Sequence, residues 1–143
     1  LQGRGRTYYL DCYNANPSSM KDSLAFFASQ CPGVPKLYVL GGMEELGEDG
    51  PQLHHEVAIS LGIEEHDLIV LVGEKASWMG SGLIEKGARE NQVMAFAKAE
   101  DASSIVDDFE GAVLFKGSRR NKLEQLLPTW AVDERSTGGS FEC

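Results

Sequence analysis

A chain of 143 residues, 42% hydrophobic and 24% charged, has the length and composition of one globular domain with a real core. Thirteen Lys and Arg against twenty-two Asp and Glu leave a net charge of −9, which argues against a surface that wraps nucleic acid. No apolar run reaches the roughly 20 residues of a membrane span. The polar start, Leu1 to Arg6, is unlike a signal peptide, and Cys12, Cys31 and Cys143 make no disulfide framework, so a cytoplasmic setting is expected.

Tyr8-Tyr9-Leu10 is the first of five short apolar runs without strict polar alternation, the pattern of strands buried on both faces. Met20, Leu24, Phe27, Ala28 and Cys31 follow at helical spacing, with Ser19 and Asp22 offering a capping box. The run Leu37 to Leu40 comes next, then Leu53, Val57 and Leu61 on a helix that Pro51 can open. Leu68 to Val72 is the third run. Lys75 to Arg89 reads as helix, weakened by Gly80, Gly82 and Gly87. Val93 to Phe96, a stripe of Ala102, Ile105, Val106 and Phe109, the run Ala112 to Phe115, and a stripe of Leu123, Leu126, Leu127 and Trp130 complete the series. This alternation predicts one three-layer α/β domain over residues 1–131 with a mostly parallel sheet of five or six strands. A polar, flexible tail is expected over 132–143.

Parallel sheets bind ligands in the loops beyond the carboxyl ends of their strands. Three such loops carry unusual polar content. Asp11 to Pro17 offers a carboxylate at a strand end, suited to ribose hydroxyls or a metal-bound water, and the donor–acceptor amides of Asn14 and Asn16. The same Asn16-Pro17-Ser18 also reads as a plain helix start. Lys116 to Arg120 gathers cations, a glycine and a hydroxyl, suited to a carboxylate or phosphate, or else forms a solvated basic cluster. Gly41 to Gly47 is followed by His54-His55, which point about 100° apart on a helix and make poor joint metal ligands. No phosphate-loop, C-x-x-C, G-x-G-x-x-G or G-x-S-x-G motif occurs, and Cys12 beside Asp11 is a poor nucleophile. A self-contained enzyme is hard to assemble from these parts.

The stretch Asp11-Cys12-Tyr13-Asn14-Ala15-Asn16-Pro17-Ser18-Ser19-Met20 resembles the D-x-Y-N-A-N-P-x-S-M signature of MurF-type ligases. Val39 to Gly47 is similar to that family's V-L-G-D-M-x-E-L-G, with His54 to Val57 at its H-x-x-V, and Val113 to Arg119 to its V-L-x-K-G-S-R. Two departures stand out: Gly42 where the family usually has Asp, and Cys12 in place of another small residue. The resemblance covers the Rossmann-like C-terminal domain alone, and with Leu1 in place of an initiator Met it implies a fragment. It implies a part in ATP-dependent addition of D-alanyl-D-alanine to UDP-N-acetylmuramoyl tripeptide through an acyl phosphate, for peptidoglycan synthesis. ATP and Mg2+ would be bound mainly by a central domain of the same chain, and the isolated domain would be inactive, with no catalytic residue or metal ligand of its own.

Carried over by position, Asp11 would contact the ATP ribose, and Asn14 and Asn16 would line the nucleotide side of the cleft. Lys116 and Ser118, supported by Arg119, would face the carboxylate of the incoming dipeptide. The alternatives are a related ligase of the folylpolyglutamate or cyanophycin type, or a non-catalytic α/β binding module, which Gly42 leaves open.

Overall fold

All five apolar runs are strands, joined at one edge by a two-residue sixth. The computed structural model describes residues 2–3, 6–11, 16–117 and 122–126. The strands β1 (Gln2–Gly3), β2 (Arg6–Asp11), β3 (Lys36–Gly41), β4 (Leu68–Val72), β5 (Val93–Phe96) and β6 (Ala112–Lys116) form one sheet in the order β1-β2-β6-β3-β4-β5. β1 is antiparallel to β2, and every other pairing is parallel. Every residue of β3 is buried, as expected of a strand covered on both faces.

Alternation along the strands divides the core. One face packs Tyr38, Leu40, Ile69, Leu71 and Leu114 under helices α1 (Pro17–Gln30), α2 (Gly50–Ser60), α3 (Glu74–Ser77) and α4 (Gly80–Glu85). The other packs Leu10, Val39, Val70, Val113 and Phe115 under α5 (Ser103–Asp108) and two 3-10 turns, Ala99–Ala102 and Leu123–Leu126. The last predicted stripe thus begins as a 3-10 turn; Leu127, Trp130 and the predicted tail lie outside the described residues. No helix among the described residues is long and apolar enough to cross a membrane.

Two predicted helices differ in detail. The capping box of α1 is made three residues earlier than expected, by Asn16 and not by Ser19 with Asp22. Asn16 Oδ1 accepts from the Ser19 N–H at 2.9 Å, and the Asn16 N–H donates to Ser19 Oγ at 3.1 Å. Pro17 explains the shift, because its fixed φ and missing N–H suit the first helical turn. Replacing Asn16 with Ala should therefore cost about 1 kcal/mol in urea denaturation, while Asp, which can still accept, should cost a few tenths. The Lys75 to Arg89 stretch divides into α3 and α4. Gly82 lets α4 lie close on α2: a Cβ there would stand 2.8 Å from the Ala58 Cβ and 3.0 Å from the His55 carbonyl oxygen.

The amino edge of the sheet is locked by buried charge. Lys36, at 0% exposure, directs its Nζ to Glu64 Oε2 at 3.1 Å, the Val34 carbonyl at 3.2 Å and Asp67 Oδ1 at 3.5 Å. Asp67 also accepts from the backbone N–H groups of Lys36 at 3.2 Å and Glu64 at 2.9 Å. Gln92 Nε2 donates to the Glu64 and Asp67 carbonyls at 3.0 and 2.9 Å, tying β5 to the same corner. Burial holds the Asp67 pKa above its ordinary value; the backbone donors and the Lys36 ammonium only partly offset it.

Candidate functional site

The order of the strands sets where a ligand can sit. β6 lies between β2 and β3, and the chain leaves β2 and β3 toward α1 and α2 on one face, whereas it leaves β6 toward the 3-10 turn on the other. Connections that part to opposite faces open a crevice at the carboxyl edge, here on both sides of β6.

Sequence motifs converge on this crevice. Asp11 ends β2 and Lys116 ends β6, and the two are register partners; Leu40, one residue before the end of β3, is the partner of Lys116 on the other side. Lys116 is 1% exposed, so this cation is enclosed by the domain and does not stand on its surface as a solvated basic cluster would. Asn16 stands at the head of α1 with Oδ1 committed to the cap. Asn14, Ser118 and Arg119, together with Cys12 and Arg120, lie outside the described residues.

The loop after β6 touches the end of β3 backbone to backbone. A Cβ on Gly117 would stand 2.6 Å from the Gly41 Cα and 2.7 Å from its nitrogen, distances that only a glycine permits. Beyond Gly41 the loop is fitted as closely to α3: a Cβ on Gly42 would fall 2.6 Å from the Lys75 Cβ. The Glu44 carboxylate pairs with the Lys75 ammonium, joining the β3 loop to α3.

His54 anchors this loop from below. It is fully buried on α2, its Nε2 accepts from the Met43 N–H at 2.9 Å, and its Nδ1 lies 2.7 Å from the Gly50 carbonyl. Both bonds are satisfied only with the proton on Nδ1. Burial holds its pKa below the ordinary value and the Lys75 ammonium adds to that, while the Gly50 carbonyl and Glu44 oppose it. The ring packs edge-on against Trp78, centroids 5.2 Å apart. His55 points elsewhere, with Nε2 3.1 Å from Glu85 Oε2. The adjacent histidines therefore serve separate contacts. The anchoring role went unread in the sequence, although a histidine three residues before the buried Val57 falls on the inward stripe of the helix.

A cleft of about 380 Å³ opens at the carboxyl ends of β4 and β5, lined in part by Lys98, Glu100, Lys122 and Gln125. Among the described residues no group of three or more His, Cys, Asp or Glu side chains is arranged to hold a metal ion.

Comparison with known proteins gives a consistent result. The family profile described as Mur ligase, glutamate ligase domain, matches residues 1–119. The UDP-N-acetylmuramoyl-tripeptide--D-alanyl-D-alanine ligase of Treponema pallidum is 36% identical over 129 residues, covering 85% of this chain and 27% of that protein. A crystal structure of MurF from Acinetobacter baumannii superposes with a TM-score of 0.72 at 28% identity, covering 88% of this chain and 28% of that one. MurF from Thermotoga maritima, solved in complex with ADP, shares the fold with a TM-score of 0.71 at 23% identity, over 96% of this chain and 31% of that one. The chain thus spans about a quarter of the length of the curated relatives it matches.

Proposed function

The chain belongs to the Mur ligase family of ATP-dependent amide ligases, as its C-terminal glutamate ligase domain, and from that premise we propose that it serves a ligase joining D-alanyl-D-alanine to UDP-N-acetylmuramoyl tripeptide. One observation carries the reading. The family's three signature segments run out of the carboxyl ends of β2, β3 and β6, three neighbouring strands whose ends lie side by side at one crevice. The names of the relatives favour the dipeptide as substrate over a single amino acid.

In this reading Asp11, Asn14 and Asn16 face the nucleotide, and Lys116, Ser118 and Arg119 face the carboxylate of the dipeptide. The residues fit such ligands in kind. An acidic strand end accepts from ribose hydroxyls, and a lysine enclosed by protein attracts an anion more strongly than one in water. Asn16, with its oxygen spent on the helix cap, acts through its amide nitrogen. ATP supplies the phosphoryl group that activates the tripeptide carboxylate, with Mg2+, both held chiefly by a central domain of the full protein. Closure of this domain over that one completes the site and excludes water. Residues 1–131 form the folded unit of this reading and 132–143 its tail.

The test is to join this chain to the first two domains of the Treponema pallidum ligase and follow phosphate release. Lys116→Ala should lower kcat/KM for D-alanyl-D-alanine about 10- to 100-fold, the worth of a hydrogen bond to a charged group. Asp11→Ala should raise the KM for ATP about tenfold. Wild-type turnover in both variants would sink the site assignment, and turnover with glutamate but not the dipeptide would favour a related amide ligase.

A further inference from the structure

The Gly42 to Leu46 segment is irregular backbone at the crevice, with Glu45 at φ 60° and Gly47 just beyond at φ 63°. Such a segment has no helix or ladder to satisfy it, and the N–H of Met43, a residue 1% exposed, is met by a side chain eleven positions away. We propose that His54, as the imidazole protonated on Nδ1, is the positioning residue of this loop, holding the rim of the ligase crevice in its working shape. The proposal rests on reading the carboxyl edge as the ligase site.

Three observations support it. The loop starts at Gly41, against which Gly117 of the β6 loop is packed, so a displaced Met43 disturbs the backbone beside Lys116. The loop is tied through Glu44 to Lys75, so the same displacement reaches α3. The two bonds of His54 also have opposite polarity, one accepted and one donated, and an apolar residue of equal size supplies neither. Protonation would turn Nε2 into a donor facing the Met43 N–H. The charged groups around the ring are Lys75 of α3 and Glu44 of the loop itself; α2 presents the Gly50 carbonyl, and the turn after α3 presents Trp78.

Two variants test this. His54→Gln keeps an acceptor within reach of Met43, whereas His54→Leu fills the space without one. Hydrogen exchange and imidazole nitrogen shifts on the 143-residue chain, with kcat and KM of the fused ligase, are the readouts. In the wild type the shifts should report Nδ1–H. His54→Leu should speed Met43 amide exchange about tenfold beyond any change in the strands, and should raise the KM for D-alanyl-D-alanine with little change in kcat. His54→Gln should restore most of both. The wild-type ligase should lose activity as pH falls through the His54 value, which burial holds below the ordinary histidine range, and that acid limb should be absent from His54→Gln. Unchanged Met43 exchange in His54→Leu overturns the proposal, as does faster exchange with an unaltered KM and pH profile. A wild-type fusion that cannot use the dipeptide overturns the ligase reading instead, and the exchange result then still decides whether His54 holds the loop.

Discussion

Asp67→Ala should destabilise the domain by about 3–5 kcal/mol in urea denaturation, the cost of breaking a buried ion pair from one side. The carboxylate is 1% exposed and meets three groups at once, the Lys36 ammonium and two backbone N–H donors. Alanine removes all three acceptances and leaves an ammonium at 0% exposure with Glu64 and one carbonyl. Lys36→Met should cost less. The Asp67 pKa is already raised by burial, so without its cation the carboxyl can take up a proton and remain neutral. The sign of the pH dependence follows. A carboxyl with a raised folded-state pKa binds its proton more tightly when folded, so its contribution is full at low pH and is lost as pH rises through the raised value. His54 runs the other way. Its folded-state pKa is depressed, so its contribution is full above about 6.5 and is lost as pH falls through the lowered value. Denaturation from pH 4 to 8 should show the first slope vanish in Asp67→Ala and the second in His54→Leu.

Gly117→Ala should cost about 3 kcal/mol, at the upper end of what an added methyl costs in a packed interior. The obstacle is the Gly41 backbone at the end of a strand paired on both sides, which cannot swing away as a side chain can. The strand-end loops must part, so the fused ligase should lose kcat/KM even where the domain remains fully folded. Gly62→Ala is the control: a Cβ there meets nothing within 4 Å, and stability should change by less than about 0.5 kcal/mol. Equal melting of Gly117→Ala and the wild type would show that the contact is loose.

The strands were legible because a chain buried on both faces must be apolar throughout, and β4 and β5 begin and end where the runs do. Helix α1 was legible from the stripe of Met20, Leu24 and Phe27, all buried, whereas its start turned on one proline. The Lys75 to Arg89 stretch misled because Gly82 reports a close approach to α2, a fact of tertiary packing, and Gly87 a positive-φ turn beyond α4. At the site, the map of strand ends put Asp11 and Lys116 on one edge, and the register makes them neighbours. That Lys116 is enclosed, that Lys36 is buried at all, and that His54 anchors a loop were not legible. Each depends on partners far along the chain, such as Asp67 for Lys36 or Met43 for His54, and no local pattern marks them.

The place of β6 between β2 and β3 has a consequence for how the molecule comes to exist. During synthesis β3, β4 and β5 leave the ribosome in an order that lets them pair at once, but β2, made before them, is separated from β3 by a slot. Only residues 112–116 fill it, bridging partners made about a hundred and about seventy residues earlier. Until then the nascent chain carries two unpaired edges, apolar and open to self-association. The crevice is therefore the last part of the domain to form, and its two sides are brought into being by the arrival of a single strand.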